Sequence, residues 1–306
     1  MKLHLNGSIV DERDAHISVL DRGFLFGDGV YELVRYFNGH GVGIDAHAHR
    51  LTRSLSLAKI TGFDASGLDA LCRALLAAND LRDGVIYLQV TRGVGRVRAH
   101  VPTEVLVPTV VAIATAAEPL AALLAPQAIS AITAEDMRWK LCEIKTISLM
   151  GNILHLIDAN AHGASEAILH RGGMVGEGAY SNVALVRDGV LITTPIAEEP
   201  PILHGTARAD LLQSAKTCGV ETRVRAVTLD ELRHADEIMI TSSRRLVSGV
   251  TQLDGHAIGA GNVGAVTTRL FHAMCDSIRH DIDQSARTSH GTSSASASAS
   301  TATKTA

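Results

Sequence analysis

The segment 136–151 places Lys145 between Ile144 and Ile147, directly before an apolar stretch that begins a helix. A lysine in this setting is either a surface residue whose stem packs on apolar neighbours or a partly desolvated amine. Desolvation favours the neutral amine, so the second alternative provides a nucleophile near pH 7. On these residues alone both alternatives stay open, since most lysines are surface residues.

The composition is that of a folded chain. With 46% hydrophobic and 20% charged residues, the 306-residue chain can bury a large core, and its length predicts two domains. A net charge of −4 gives no reason to expect nucleic-acid or membrane partners. The chain start lacks an apolar signal segment, and Pro108 interrupts the longest apolar run, 105–117. The four cysteines match no metal or redox spacing, which predicts a cytoplasmic protein without a metal site.

Residues 1–117 are predicted to form an N-terminal α/β domain, followed by an interdomain linker at 118–127. Asn6-Gly7 predicts the turn of a first hairpin. Further strands are predicted at 30–37, 84–92 and 105–115. Helices are predicted at 45–61, with Asp45 as the N-cap, and at 66–79.

Residues 128–283 are predicted to form a second α/β domain, which carries Lys145. Its strands are predicted at 128–134, 167–171 and 237–243. Its helices are predicted at 152–162, 208–218 and 262–278. Residues 284–306 are rich in Ser, Ala and Thr, and this low complexity predicts a disordered tail.

Three further features bear on function, and each has two interpretations. Tyr31, in a predicted strand, is either a core tyrosine or a site residue. Arg50 is either a solvated arginine or a phosphate ligand, since guanidinium geometry suits phosphate. The loop 92–100 contains glycines and several cations, among them Arg98 and His100, and is either a flexible basic loop or a carboxylate clamp.

Five separated motifs within residues 3–282 resemble those of the fold-type IV, pyridoxal-phosphate aminotransferases, most of all the D-amino-acid aminotransferases. The N-terminal motif is Asp21-Arg22-Gly23 through Phe26-Gly27-Asp28-Gly29-Val30-Tyr31-Glu32, and the lysine motif is Arg138-Trp139 with Glu143-Ile144-Lys145 and Leu149. The others are Arg98-x-His100, Glu177-Gly178 with Ser181-Asn182, and Gly205-Thr206-Ala207-Arg208 with the hydroxyls Ser242-Ser243.

The resemblance implies an α+β, two-domain fold with pyridoxal 5′-phosphate at the domain interface, in a homodimer. It implies Lys145 as the Schiff-base lysine and Glu177 as the partner of the pyridine nitrogen. The implied phosphate ligands are Arg50, Thr206, Ala207 and Ser243. The implied ligands of the substrate carboxylate are Tyr31, Arg98 and His100, of which the last two are expected from the neighbouring subunit.

The chain departs from this family's pattern at two places. Ala179-Tyr180 replaces smaller polar residues before Ser181-Asn182, which bears on the substrate side of the pocket. Ala207 stands where the family has a hydroxyl. The backbone N–H groups at this helix start, together with the Thr206 hydroxyl, are then left to bind phosphate.

The implied activity is transfer of the amino group of D-alanine to 2-oxoglutarate, which gives pyruvate and D-glutamate. Tyr31 together with Arg98-x-His100 favours D-amino acids. A branched-chain L-amino-acid aminotransferase, an aminodeoxychorismate lyase and an R-selective amine transaminase of the same fold remain alternatives. A remote alternative is a serine hydrolase using Ser56 and Lys59, whose spacing predicts that both lie on one helix face.

Overall fold

The computed structural model describes residues 1–196 and 198–297, with the side chains of Ala286 and residues 288–297 outside the description. The N-terminal elements are β1 (Lys2–Leu5), β2 (Ser8–Asp11), α1 (Arg22–Phe26), β3 (Gly29–Phe37), β4 (His40–Gly41), α2 (Ile44–Leu57), α3 (Leu68–Ala78), β5 (Gly84–Thr91) and β6 (Thr109–Ala116). Within the described residues these strands form a six-stranded antiparallel sheet of order β2-β1-β6-β5-β3-β4. Asn6 and Gly7, both at positive φ, form the predicted hairpin turn.

The alternation of β3 decides what each of its side chains meets. Its even-numbered residues face α2 and α3, so that Val34 is fully buried in a core with Leu51 and Leu75 of these helices. Its odd-numbered residues point to the opposite face of the sheet, where Phe37 joins a core made by the C-terminal half. The strand therefore presents Tyr31 on the side where the two halves of the chain meet.

Helix α2 differs from its prediction at both ends. It begins at Ile44 after Gly43, whose φ is 58°, so Asp45 lies in the first turn rather than at the N-cap. A carboxylate there still favours the helix through its dipole. The helix ends at Leu57, and Lys59 has a φ of 55° beyond it. The prediction that Ser56 and Lys59 share a helix face was therefore wrong.

The C-terminal elements surround a second, larger sheet. They are β7 (Gln127–Glu135), α4 (Met150–Ala161), β8 (Glu166–Arg171), β9 (Met174–Gly178), β10 (Asn182–Arg187), β11 (Val190–Thr193), α5 (Thr206–Thr217), β12 (Thr222–Val224), α6 (Leu229–Arg233), β13 (Glu237–Ser242), β14 (Leu246–Leu253), β15 (His256–Ala257) and α7 (Ala265–Ala297). In the described part of the chain this sheet has nine strands. Eight follow the order β12-β11-β10-β13-β14-β7-β8-β9, and β15 pairs with β14.

The two sheets with their helices form the α+β architecture that the sequence predicts. Leu211 of α5 and Leu270 of α7 are buried with Met239 of β13 in the second half's main core. The first sheet ends at Ala116 and the second begins at Gln127, which brackets the predicted linker. The division of the chain into domains at this segment stays a prediction. No helix among the described residues is long and apolar enough to cross a membrane.

Helix α7 is longer than predicted. Its first turns are anchored by Leu270, Met274 and Ile278, which are buried against α5 and the sheet. The structure continues the helix to Ala297, and residues 298–306 lie outside the described residues. The disorder that the composition indicates from Gln284 onward stays a prediction.

Candidate active site

An open cavity of about 150 Å³ lies where side chains of the two sheets meet. Residues from β3 and α2 contribute to one side of it, and residues of the C-terminal half contribute to the rest. The predicted site residues that line it are Tyr31, Arg50, Lys145, Glu177, Thr206, Ala207 and Ser243. Folding thus brings together positions that are up to 212 residues apart in the sequence, counted from Tyr31 to Ser243.

The backbone on both sides of Lys145 is fastened to the edge of β3. Tyr31 N–H donates to the Lys145 carbonyl at 2.9 Å, and Ile147 N–H donates to the Gly29 carbonyl at 3.1 Å. Lys145 N–H donates to the Ser54 hydroxyl of α2 at 3.2 Å. The Nζ atom lies 4.2 Å from the centre of the Tyr31 ring. The lysine therefore projects from a fixed backbone into the cavity beside an aromatic face.

Glu177 is a buried carboxylate held from three directions. Arg138 Nη1 donates to Oε1 at 2.9 Å, while Asn182 Nδ2 and Leu203 N–H donate to Oε2 at 3.1 and 2.9 Å. Burial raises the pKa of the Glu177 carboxyl above its usual value, and the positive charges of Arg138 and Lys145 act against this rise. A cation placed against this carboxylate would favour its ionised form further.

Arg50 is positioned by an ion pair beneath the cavity. Its Nε and Nη2 donate to the two oxygens of Glu32 at 2.8 and 2.7 Å, and its Nη1 donates to the His204 carbonyl at 3.0 Å. Burial alone would raise the pKa of Glu32, but Arg50 and His47 lower it to about 2. Glu32 is thus a permanent counter-ion that fixes the guanidinium in one orientation.

The start of α5, together with the Arg50 guanidinium, forms a site for an anion, which is called the cradle below. No side chain caps the helix, so N–H groups of its first turn face the cavity together with the Thr206 hydroxyl. This hydroxyl lies 3.2 Å from His47 Nε2 and 3.5 Å from the Ser243 hydroxyl. Ala207 contributes its backbone N–H alone. Two hydroxyls, those of Thr206 and Ser243, are therefore present in the cradle although residue 207 is an alanine.

Gly205, the residue before α5, is predicted to tolerate no side chain. Its φ of −66° suits alanine, but a Cβ here would collide with Asn182 Oδ1, and Asn182 in turn holds Glu177. We expect Gly205→Ala to cost about 1–3 kcal/mol of stability through this overpacking. Thermal unfolding would measure it, with Gly67→Ala as the matched control, since a Cβ at Gly67 meets nothing within 4 Å. Equal melting temperatures for the two variants would contradict the expectation.

The residues around the cavity fit pyridoxal phosphate. One end offers the Arg50 guanidinium and the uncapped start of α5 to a phosphate, and the other offers the Glu177 carboxylate to a protonated ring nitrogen. The Thr241 hydroxyl is buried at the cavity and has no hydrogen-bond partner among the described residues. A polar group bound in the cavity would satisfy it.

Arg98 and His100 do not line this cavity. Both side chains are exposed and stack on Phe26 of α1 in the same chain, Arg98 at 4.9 Å and His100 at 5.6 Å from the ring centre. In this arrangement, Arg98 and His100 do not contribute to the cavity of their own chain.

Ala179 and Tyr180, two of the residues that depart from the family's pattern, both line the cavity. Ala179 is buried in a small core with Leu169, and its N–H donates to the Ala167 carbonyl. Tyr180 is 42% exposed, and its hydroxyl donates to the Ser165 carbonyl at 3.4 Å. The tyrosine thus forms part of the cavity wall with its hydroxyl already engaged.

Sequence reasoning missed the residues that hold the site residues in place. These are Arg138 and Asn182 beside Glu177, and Glu32 and His47 beside Arg50. One signal was available for Glu32, since strand alternation places it opposite Tyr31, on the face toward α2. Arg138 and Asn182 stand in the quoted motifs, but nothing in the sequence indicated that they hold Glu177, which lies 39 and 5 residues away from them. His47 lies three residues before Arg50 on α2, and its contact with Glu32 spans 15 residues.

Comparisons with known proteins show which family this chain resembles. The model of the family "Amino-transferase class IV" matches residues 29–253. A D-alanine aminotransferase from Listeria innocua is 38% identical over 280 residues, which cover 91% of this chain and 96% of the relative. A branched-chain amino acid aminotransferase from Escherichia coli superposes with a TM-score of 0.80 at 26% identity and covers 88% of this chain and 91% of its own. A hypothetical aminotransferase from Mycobacterium tuberculosis, solved in a PLP-bound form, gives 0.75 at 26% identity over 90% and 98%.

Proposed function

We propose that this chain, which belongs to the class IV aminotransferases, transfers the amino group of D-amino acids such as D-alanine to 2-oxo acids. Membership of the family makes it a pyridoxal-phosphate-dependent aminotransferase with the predicted fold-type IV architecture. The observation that carries the proposal is the cavity that unites Lys145, Glu177 and the cradle at Arg50 and α5. The preference for D-amino acids is supported by the relatives named for D-alanine.

Pyridoxal 5′-phosphate, when bound, supplies an electron sink for the electron pair left at the substrate Cα. Lys145 would hold it covalently through Nζ, and Glu177 would hold its ring nitrogen in the protonated state. Its phosphate would be held by the Arg50 guanidinium, the N–H groups of Thr206 and Ala207, and the hydroxyls of Thr206 and Ser243.

Proton transfer and orientation of the substrate are carried out by the protein's own side chains. Once its amine is free, Lys145 would take the proton from the substrate Cα as a general base and then, as a general acid, deliver it to the cofactor side instead of back to Cα. The fixed backbone around Lys145 restricts the directions from which Nζ reaches that atom. Tyr31, whose ring lies beside Nζ, would orient the substrate carboxylate through its hydroxyl.

A homodimer is part of the proposal. Arg98 and His100 are exposed in their own subunit, so they are available to the substrate carboxylate in the cavity of a second copy. Helix α4 also exposes an apolar stripe of Met150, Ile153, Leu154 and Ile157 at helical spacing. Stripes of this kind mark interaction sites. A second copy of this chain would cover it.

We also propose that the protein works in the cytoplasm. Cys72, Cys142, Cys218 and Cys275 are all free thiols in the structure. Free thiols are the usual state of cysteines in a reducing compartment. Fractionation of the host cells, with the protein followed by immunoblot, tests this part of the proposal.

Transamination of branched-chain L-amino acids is the second candidate, because the solved structures that match include branched-chain aminotransferases. The cavity wall from Leu33 and Tyr31 is compatible with apolar side chains and does not by itself exclude an L-amino acid. Rates with D-alanine, L-alanine and L-leucine under one set of conditions distinguish the two candidates.

Borohydride reduction of the purified enzyme is expected to attach the cofactor permanently to Lys145. The reason is that Lys145 lines the cavity together with Arg50 and Glu177. Peptide mapping by mass spectrometry locates the modified lysine. Lys140, which is exposed and does not line the cavity, serves as the internal control. Modification of any lysine other than Lys145 would contradict the assignment.

A further inference from the structure

Arg22, at the start of α1, is a buried arginine that no part of the proposed chemistry uses. It is 7% exposed and forms three hydrogen bonds with three different nitrogens. Nε donates to Asp28 Oδ2 at 2.7 Å, Nη1 to the Ala99 carbonyl at 2.6 Å and Nη2 to the His100 carbonyl at 2.8 Å. One guanidinium thus fixes the backbone at two successive residues of the loop between β5 and β6.

The same helix fixes the side chains of this loop. Phe26, one turn after Arg22, has the guanidinium of Arg22 at 4.9 Å from its ring centre. Arg98 and His100 stack on this ring as well. Neither side chain has a hydrogen bond or ion pair among the described residues, so the ring is the contact that orients them.

Asp28 anchors the arrangement in the body of the subunit. Besides Arg22, it accepts from Nε and Nη2 of Arg92 at 2.8 Å each, and Arg92 donates to the Ala58 carbonyl at the end of α2 at 2.8 Å. Burial alone would raise the pKa of Asp28, but hydrogen bonds from Arg92 and Arg22 lower it. The aspartate therefore stays ionised and holds both guanidinium groups.

We propose that Arg22 is a positioning residue for substrate binding, which presents Arg98 and His100 to the carboxylate in the neighbouring subunit's cavity. The inference rests on the proposed function, because it needs these two residues to bind substrate in the second copy. A displacement of about 1 Å in a binding group can cost as much as a hundredfold. Loss of three hydrogen bonds beneath this loop permits such a displacement.

A property that distinguishes this role is that Arg22 acts on the other subunit's site. Hybrid dimers of two differently tagged chains make this measurable. In the first hybrid, one chain carries Lys145→Ala and Arg22→Met together, and its partner is unmodified. The working lysine then lies in the unmodified chain and receives its loop from the chain without Arg22. In the second hybrid, Lys145→Ala and Arg22→Met are on opposite chains, so the working site receives an intact loop.

We expect the first hybrid to show a KM for both the amino acid and the oxo acid that is about tenfold higher or more, with kcat within about twofold. The second hybrid should match a hybrid that carries Lys145→Ala alone. The two hybrids should have the same cofactor absorption band and the same melting temperature. An unchanged KM in the first hybrid, or a raised KM in the second instead, overturns the proposal.

Two further variants keep the test decisive. Arg96→Met removes a cation from the same loop, but Arg96 is 89% exposed and pairs with Glu104, so KM should not change. If Arg22→Met does not fold, Phe26→Leu in the same two hybrids removes the ring and should raise KM in the first hybrid only. An equal KM for the two Phe26→Leu hybrids would then overturn the proposal.

The first hybrid made with Arg98→Met in place of Arg22→Met separates this inference from the proposed function. If Arg98→Met raises KM there and Arg22→Met does not, the clamp stands and the positioning role of Arg22 is wrong. If Arg98→Met leaves KM unchanged, the clamp itself is wrong and the role of Arg22 falls with it. If Arg98→Met and Arg22→Met each raise KM in the first hybrid and not in the second, the results support both the carboxylate clamp and the positioning role of Arg22.

Discussion

A Glu177→Gln variant is expected to bind pyridoxal phosphate and to transaminate on the order of a hundred- to a thousandfold more slowly, the range seen when one preorganised electrostatic contact is removed. The carboxylate accepts from Arg138, Asn182 and Leu203, and its negative charge favours a protonated ring nitrogen beside it. Glutamine offers one acceptor oxygen instead of two. Its NH₂ group is a donor, which favours the unprotonated ring. Each unit by which the ring nitrogen's pKa falls corresponds to about 1.4 kcal/mol.

The measurement is a single-turnover reaction of the cofactor-loaded enzyme, which separates chemistry from binding and product release. Glu143→Gln is the matched control, because Glu143 lies in the lysine segment but pairs with the half-exposed Arg53 and does not line the cavity. The control should react at the normal rate. Near-normal turnover by Glu177→Gln would mean that the carboxylate only ties β9 to its neighbours, and that the ring nitrogen needs no anionic partner.

Local patterns predicted many of the helices and strands, although not α1, β10 or β14, and the resemblance to the family supplied most of the candidate residues that line the cavity. Strand alternation placed Tyr31 and Glu32 on opposite faces of β3, and the structure has Tyr31 at the cavity and Glu32 buried beneath it. The motifs that resemble the family brought in residues as distant as Arg50 and Ser243, which line the same cavity. The conformation of a short segment with strong turn-forming residues, such as Asn6-Gly7, is determined by residues close to it in the sequence.

What the sequence could not predict depends on contacts between distant residues. The ion pair of Glu32 with Arg50 spans 18 residues, and the bonds of Arg22 to the loop span 77 and 78. Neither is visible in local periodicity. Helix α7 continues beyond its predicted end at Ile278 to Ala297, while the disorder predicted from Gln284 onward stays a prediction.

The handedness of the substrate should follow from where its carboxylate is held. Lys145 projects from a fixed backbone and so reaches the substrate Cα from one side only. The α-proton must point to that side, and the position of the carboxylate then decides which enantiomer fits. Tyr31 from one subunit with Arg98 and His100 from the other would hold the carboxylate by charge-assisted contacts. D-alanine is therefore expected to be a good amino donor to 2-oxoglutarate, and L-alanine a poor one.

Arg98→Ala is expected to lower kcat/KM for D-alanine and 2-oxoglutarate by about thirtyfold or more, while the cofactor spectrum stays normal. Truncating one partner of a buried charge-assisted pair costs about 2–5 kcal/mol, and each 1.4 kcal/mol is tenfold. Arg96→Ala is the control, since this exposed loop arginine should change neither constant. A coupled assay with both enantiomers decides the assignment. Faster turnover with L-leucine than with any D-amino acid would place the enzyme among the L-specific aminotransferases. Preference for an R-amine without a carboxylate would show that Arg98 does not bind the substrate as a clamp.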